Sequence, residues 1–128
     1  MAMVLLVDDD PAFRSTTRRL LERLGHVVRE AADGRAAREA MRADPADVVL
    51  MDVYMAGEDG IEATRQLAAE FPAVRVVVMS GGGALTAELT LALARPLGAM
   101  AVLAKPFSGD ELSRALGQVL AHGAGEAS

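Results

Sequence analysis

The sequence predicts an α/β domain built on a doubly wound, five-stranded parallel sheet. Two observations predict it. Apolar runs of strand length alternate five times with segments of helical periodicity, and strict alternation of β and α segments makes a parallel sheet with helices on both faces. The central run, Val48 to Met51, is apolar at consecutive positions, the composition of a strand buried on both sides. Right-handed crossovers leave few other topologies.

The first strand, Met3 to Val7, ends in Asp8-Asp9-Asp10. Pro11 suits the first turn of a helix, with Asp10 as its N-cap. Phe13, Thr17, Leu20, Leu21 and Leu24 recur at helical spacing up to a stop at Gly25. His26 to Ala31 reads as the second strand, and Asp33-Gly34 as a turn. Ala36, Ala37, Ala40 and Met41 mark the second helix, which Asp44-Pro45 ends. The central strand ends at Asp52. Beyond a glycine-bearing loop, Ile61, Ala63, Leu67, Ala68 and Phe71 mark the third helix, closed by Phe71-Pro72. Val74 to Met79 is the fourth strand, ending at Ser80. After Gly81-Gly82-Gly83, read as a flexible turn, a helix rich in Leu and Ala stops before Pro96. Leu97-Gly98-Ala99 turns the chain into the fifth strand, Met100 to Ala104. Lys105-Pro106 ends it, and the last helix runs through Leu112, Leu116, Val119 and Leu120. One domain is expected over residues 1–121, with 122–128 a disordered tail.

Composition narrows the function. With 128 residues, 52% of them hydrophobic, the chain can bury a full core. A net charge of -5 argues against nucleic acid as a partner. There are no cysteines, which excludes thiolate chemistry, and the two histidines are too few for an imidazole metal cage. No signal peptide and no apolar run of membrane-spanning length is visible, so a soluble cytoplasmic protein is expected.

The strand ends carry the chemistry. The first gives Asp8 and Asp9, the third Asp52, the fourth Ser80 and the fifth Lys105. In an open parallel sheet these ends line one crevice, where ligands bind. Three carboxylates there repel one another and need a cation. Oxygen ligands without His or Cys select Mg²⁺. Lys105 and the Ser80 hydroxyl suit phosphoryl oxygens, and an aspartate can act as a nucleophile towards phosphorus. The set fits phosphoryl transfer to Asp52.

The segments 4–11, 47–60, 76–81 and 98–107 together resemble the receiver domains of two-component response regulators. The resemblance implies a flavodoxin-like (βα)5 fold and a phosphoprotein role in phosphorelay signalling. It implies Asp52 as the phospho-acceptor. Asp9, Asp52 and the Tyr54 backbone carbonyl would bind Mg²⁺ directly, and Asp8 would act through a metal-bound water. Ser80 and Lys105 would follow the phosphoryl group, and the Lys105–Pro106 peptide would be cis. Four departures stand out. Ala56 replaces the usual proline, bulky Tyr54 lies two residues after the acceptor, and the segment from Ser80 to Lys105 is about three residues longer than the common pattern. Val102 occupies the position of the family's switch aromatic.

The expectation is a stand-alone receiver that takes a phosphoryl group from a histidine kinase or a phosphotransfer protein. It would signal through a changed protein-binding surface or pass the group on, and it would be no enzyme beyond its own phosphorylation and dephosphorylation. Arg14, Arg18 and Arg38 read as solvated helix faces. A pseudo-receiver, serving only as an interaction module, is the alternative; intact Asp8, Asp9, Asp52 and Lys105 argue against it. An Mg²⁺-dependent phosphohydrolase is disfavoured because Tyr54 stands where such enzymes need a second acid, and the chain has no room for a substrate cap. The cognate kinase, the downstream target and the oligomeric state are not encoded legibly.

Overall fold

A computed structural model describes residues 2–81 and 86–122. Strands β1 (Met3–Val7), β2 (Val27–Ala31), β3 (Val48–Asp52), β6 (Arg75–Gly81) and β7 (Ala99–Lys105) form one parallel sheet in the order β2-β1-β3-β6-β7. A short antiparallel pair, β4 (Tyr54–Met55) and β5 (Glu58–Asp59), follows β3. Helices α1 (Pro11–Arg23), α2 (Gly34–Ala43), α3 (Gly60–Glu70) and α4 (Ala87–Ala94) fill the crossovers, and α5 (Gly109–Leu120) follows the last strand. Two mutually exclusive side-chain sets explain the apolar runs, because successive strand residues point to opposite faces. Val4, Leu6, Val48, Leu50, Val77 and Met79 pack with Leu21 of α1 and Leu112 and Leu116 of α5. Leu5, Val7, Val49, Met51, Val76 and Val78 pack with Met41 of α2, Leu67 of α3 and Ala94 of α4.

Local chemistry sets the helix starts. Asp10 accepts from the Ala12 and Phe13 amides, and Ser108 with Glu111 forms a capping box on α5. Asp33 caps α2 through the Ala36 amide, so Asp33-Gly34 is a helix start and not a free turn. Helix α4 ends at Ala94, before Pro96 as expected, and Pro96 lies in the 3₁₀ turn Arg95–Leu97 that follows, where its missing N–H costs nothing in a first turn. The second strand begins at Val27, because His26 turns its Nδ1 to the Ala2 amide. β7 extends one residue beyond each expected end. His122 belongs to the folded body: its carbonyl accepts from Arg75 Nε at 2.7 Å. The rest of the expected tail, 123–128, and most of the glycine run, 82–83, lie outside the described residues.

The parallel register aligns the strand ends. Val7 lies beside Met51, Asp52 beside Met79, Ser80 beside Ala104 and Gly81 beside Lys105. From β1 the sheet grows one way to β2 and the other way to β3, so Asp8 and Asp52 flank its switch point. Gly60 closes the floor. Its amide donates to the Val53 carbonyl at 2.9 Å, and a Cβ there would collide with the Asp52 carbonyl oxygen and reach within 2.7 Å of Val53 Cα. The first residue of α3 thus fixes the backbone under Asp52. Gly60→Ala is expected to cost about 3 kcal/mol, the upper part of the usual overpacking range, as a lowered urea midpoint. An unchanged midpoint would show that this contact yields without strain.

Candidate functional site

Asp8 is the hub of the strand-end cluster. Its amide donates to the Ala31 carbonyl at 3.1 Å, and its carbonyl accepts from Arg14 Nη1 at 2.6 Å. Its carboxylate accepts from the Asp10 amide at 2.9 Å and from Lys105 Nζ at 2.6 Å. Lys105 Nζ also lies 3.4 Å from Asp52 Oδ1, an oxygen that the Tyr54 amide approaches at the same distance. Asp9, on the outer side, accepts from the Ala56 amide at 2.6 Å. Asp8, Asp9 and Asp52 each present an oxygen, and these oxygens lie within 4.8 Å of one another.

Asp8, Asp52 and Ser80 are buried, whereas Asp9 is exposed. Burial pushes the Asp52 carboxyl above the usual carboxylate range; Lys105 opposes that push and the neighbouring Asp8 adds to it. Two charges of one sign remain beyond the single ammonium when all three acids are ionised, so the cluster favours a further cation. A donor set of carboxylate oxygens alone, one of them open to solvent, fits a small hard divalent ion that keeps part of its water shell. Among the described residues no His joins it.

The other expected site residues fall around this cluster. Ser80 ends the buried part of β6, one position beyond the neighbour of Asp52. Tyr54 opens β4 and is 45% exposed. The Lys105–Pro106 peptide is cis. Val102 is partly buried against the core on the α2, α3 and α4 side.

Three contacts were not legible beforehand. Arg14 is no solvated face: it ties the Asp8 carbonyl to Glu30, whose carboxylate it meets at 3.0 Å. Its spacing from Asp10, four residues along a helix, was the only hint. Phe13 places its ring 3.9 Å from Lys105 Nζ, which its helical spacing alone did not reveal. Ala56 supplies an N–H to Asp9 that proline lacks.

The profile of the response regulator receiver domain matches residues 4–117. The chain belongs to the receiver-domain family. It is 35% identical over 123 residues to the protein PilH of Pseudomonas aeruginosa, covering 94% of this chain and 99% of that one. It is 37% identical over 119 residues to the transcriptional regulatory protein ZraR of Escherichia coli, where the match takes in 93% of this receiver but only 26% of the relative. The receiver fold is shared with the chemotaxis protein CheY4 of Vibrio cholerae at a TM-score of 0.84 and 28% identity, covering 93% and 98% of the two chains.

The raised carboxyl of Asp52 has a sign that can be tested. Ionising it costs more in the folded receiver than in the unfolded chain, so its contribution to stability is intact below the usual value of 3.8 and is lost as pH rises through the higher folded value. Asp52→Asn in metal-free buffer is therefore expected to be more stable than wild type at neutral pH, with the gap closing in acid. Urea denaturation at both pH values measures it. A less stable variant at neutral pH would mean that the attraction of Lys105 outweighs burial.

Proposed function

We propose that this receiver accepts a phosphoryl group on Asp52 from a phosphohistidine of a sensor kinase or phosphotransfer protein. The observation that carries the reading is the joint position of Asp8, Asp9, Asp52 and Lys105 at one sheet edge. An Asp52 carboxylate oxygen attacks phosphorus, the P–O bond forms as the P–N bond breaks, and the departing imidazole nitrogen takes up a proton. Lys105 and the Ser80 hydroxyl hold the transferred oxygens. Mg²⁺ would be held by Asp9, Asp52 and the Tyr54 carbonyl, with Asp8 acting through a bound water. When bound, the ion supplies positive charge that offsets the crowded acids and the phosphoryl group.

The output is a protein contact, or onward transfer to a second phosphotransfer protein. In α4 only Glu88 is charged, and Leu89 and Leu93 are each 49% exposed, an apolar face suited to a protein partner. Val102 cannot swing an aromatic ring, so the phosphorylated state is read through another element. A net charge of -5 favours protein partners over nucleic acid. Cytoplasmic action belongs to the same reading; among the described residues no helix is long and apolar enough to cross a membrane.

Intact mass after incubation with Mg²⁺ and acetyl phosphate tests this. Wild type is expected to gain one phosphoryl group and Asp52→Asn none. Absence of the adduct in wild type, with no Mg²⁺ bound in a titration and no transfer from a phosphorylated kinase, would favour a constitutive interaction module.

A further inference from the structure

The ammonium of Lys105 has three N–H groups and, among the described residues, three neighbours. Two are the carboxylates of Asp8 and Asp52, at 2.6 and 3.4 Å. The third is the face of the Phe13 ring, whose centroid lies 3.9 Å from Nζ. That distance is well inside the range in which a ring quadrupole attracts a cation. The Phe13 ring is itself braced: Phe107 meets it edge-on, with centroids 5.9 Å apart and planes at 90°. The chain has four aromatic residues in all, Phe13, Tyr54, Phe71 and Phe107. Two of the four are therefore spent on this one lysine, and they come from opposite ends of the sequence.

We propose that Phe13 is a positioning residue for Lys105, holding the ammonium at the acidic cluster through its ring face while the carboxylates change partners. The inference rests on phosphoryl transfer to Asp52. A divalent ion held among Asp8, Asp9 and Asp52 would compete with Lys105 for the first and third and repel its charge. Phosphorylation then consumes an Asp52 oxygen. The ring is neither a metal ligand nor a nucleophile, so among the described residues it is the partner of Lys105 that neither event contests. A four-carbon stem that is 20% exposed would otherwise be free to leave towards water. Phe13 is also partly buried against the core on the α1 and α5 side, and that packing alone would place a leucine equally well. The two roles separate by electronics: fluorination of a ring preserves its shape and removes the negative potential of its face.

The test uses the full chain with Phe13, Phe13→Leu, Phe13→Tyr and 3,4,5-trifluorophenylalanine at position 13. In metal-free protein the Lys105 side-chain ε-protons are expected upfield in wild type through the ring current, and at ordinary positions in Phe13→Leu. With Mg²⁺ and acetyl phosphate, Phe13→Leu and the trifluoro chain are expected to be phosphorylated about three- to tenfold more slowly, the range of an ordinary ring-face contact. Phe13→Tyr should restore the wild-type rate. If Phe13→Leu does not fold, the trifluoro chain alone carries the comparison. A trifluoro chain phosphorylated as fast as wild type overturns the proposal, as do ε-protons that ignore the loss of the ring. Failure of the wild type itself to take up phosphate overturns the functional reading instead, and the resonances still report on the ring contact.

Discussion

Asp8, Asp9 and Asp52 repel one another, and the rest of the site is arranged to hold them together. Parallel register brings the ends of β1 and β3 side by side, and the same register carries Lys105 in from the outermost strand, β7. Each acid is then given a fixed donor: the Asp10 amide for Asp8, the Ala56 amide for Asp9, and the Tyr54 amide for Asp52. Backbone N–H groups suit this task because they offset charge without bringing another titrating group. What they leave unneutralised is the capacity of the site to attract a cation.

One helix end does much of the work. The first turns of α1 supply Asp10 as cap, Phe13 to the ammonium and Arg14 to the Asp8 carbonyl. Those residues follow β1 directly, so the core contact that seats α1, Leu21 against the inner strand faces, also sets the geometry of the acids. Gly60 does the corresponding service on the other side, where the start of α3 touches the backbone of Asp52 itself. The site is anchored to both layers of the core.

The sheet was legible because Val48 to Met51 and Val76 to Met79 leave no polar face, and because four of the five strand ends are marked by a polar or charged residue. The acids and the lysine were legible for the same reason. The pair β4 and β5 was not, since two-residue strands are shorter than any periodicity can register. The stop before Pro96 was legible, since α4 ends at Ala94, but the 3₁₀ turn Arg95–Leu97 that follows was not, because a proline signals an end and not what comes after it. Arg14 and Phe13 escaped because a helical repeat reports which face a residue occupies, and not what a long side chain or a ring reaches beyond the helix end. The Ala56 contact escaped for a different reason: a backbone donor has no signature in side-chain identity, and only comparison with proline exposes it.

The exposed side chain of Tyr54 carries one more consequence. The chain has no tryptophan and a single tyrosine, and that residue lies two positions from Asp52 on the loop that meets Asp9. Emission excited at the long-wavelength edge of the tyrosine band, where phenylalanine does not absorb appreciably, therefore comes from the phenol of one exposed residue whose backbone amide approaches the Asp52 carboxylate. At those wavelengths the molecule contains its own optical probe of this segment.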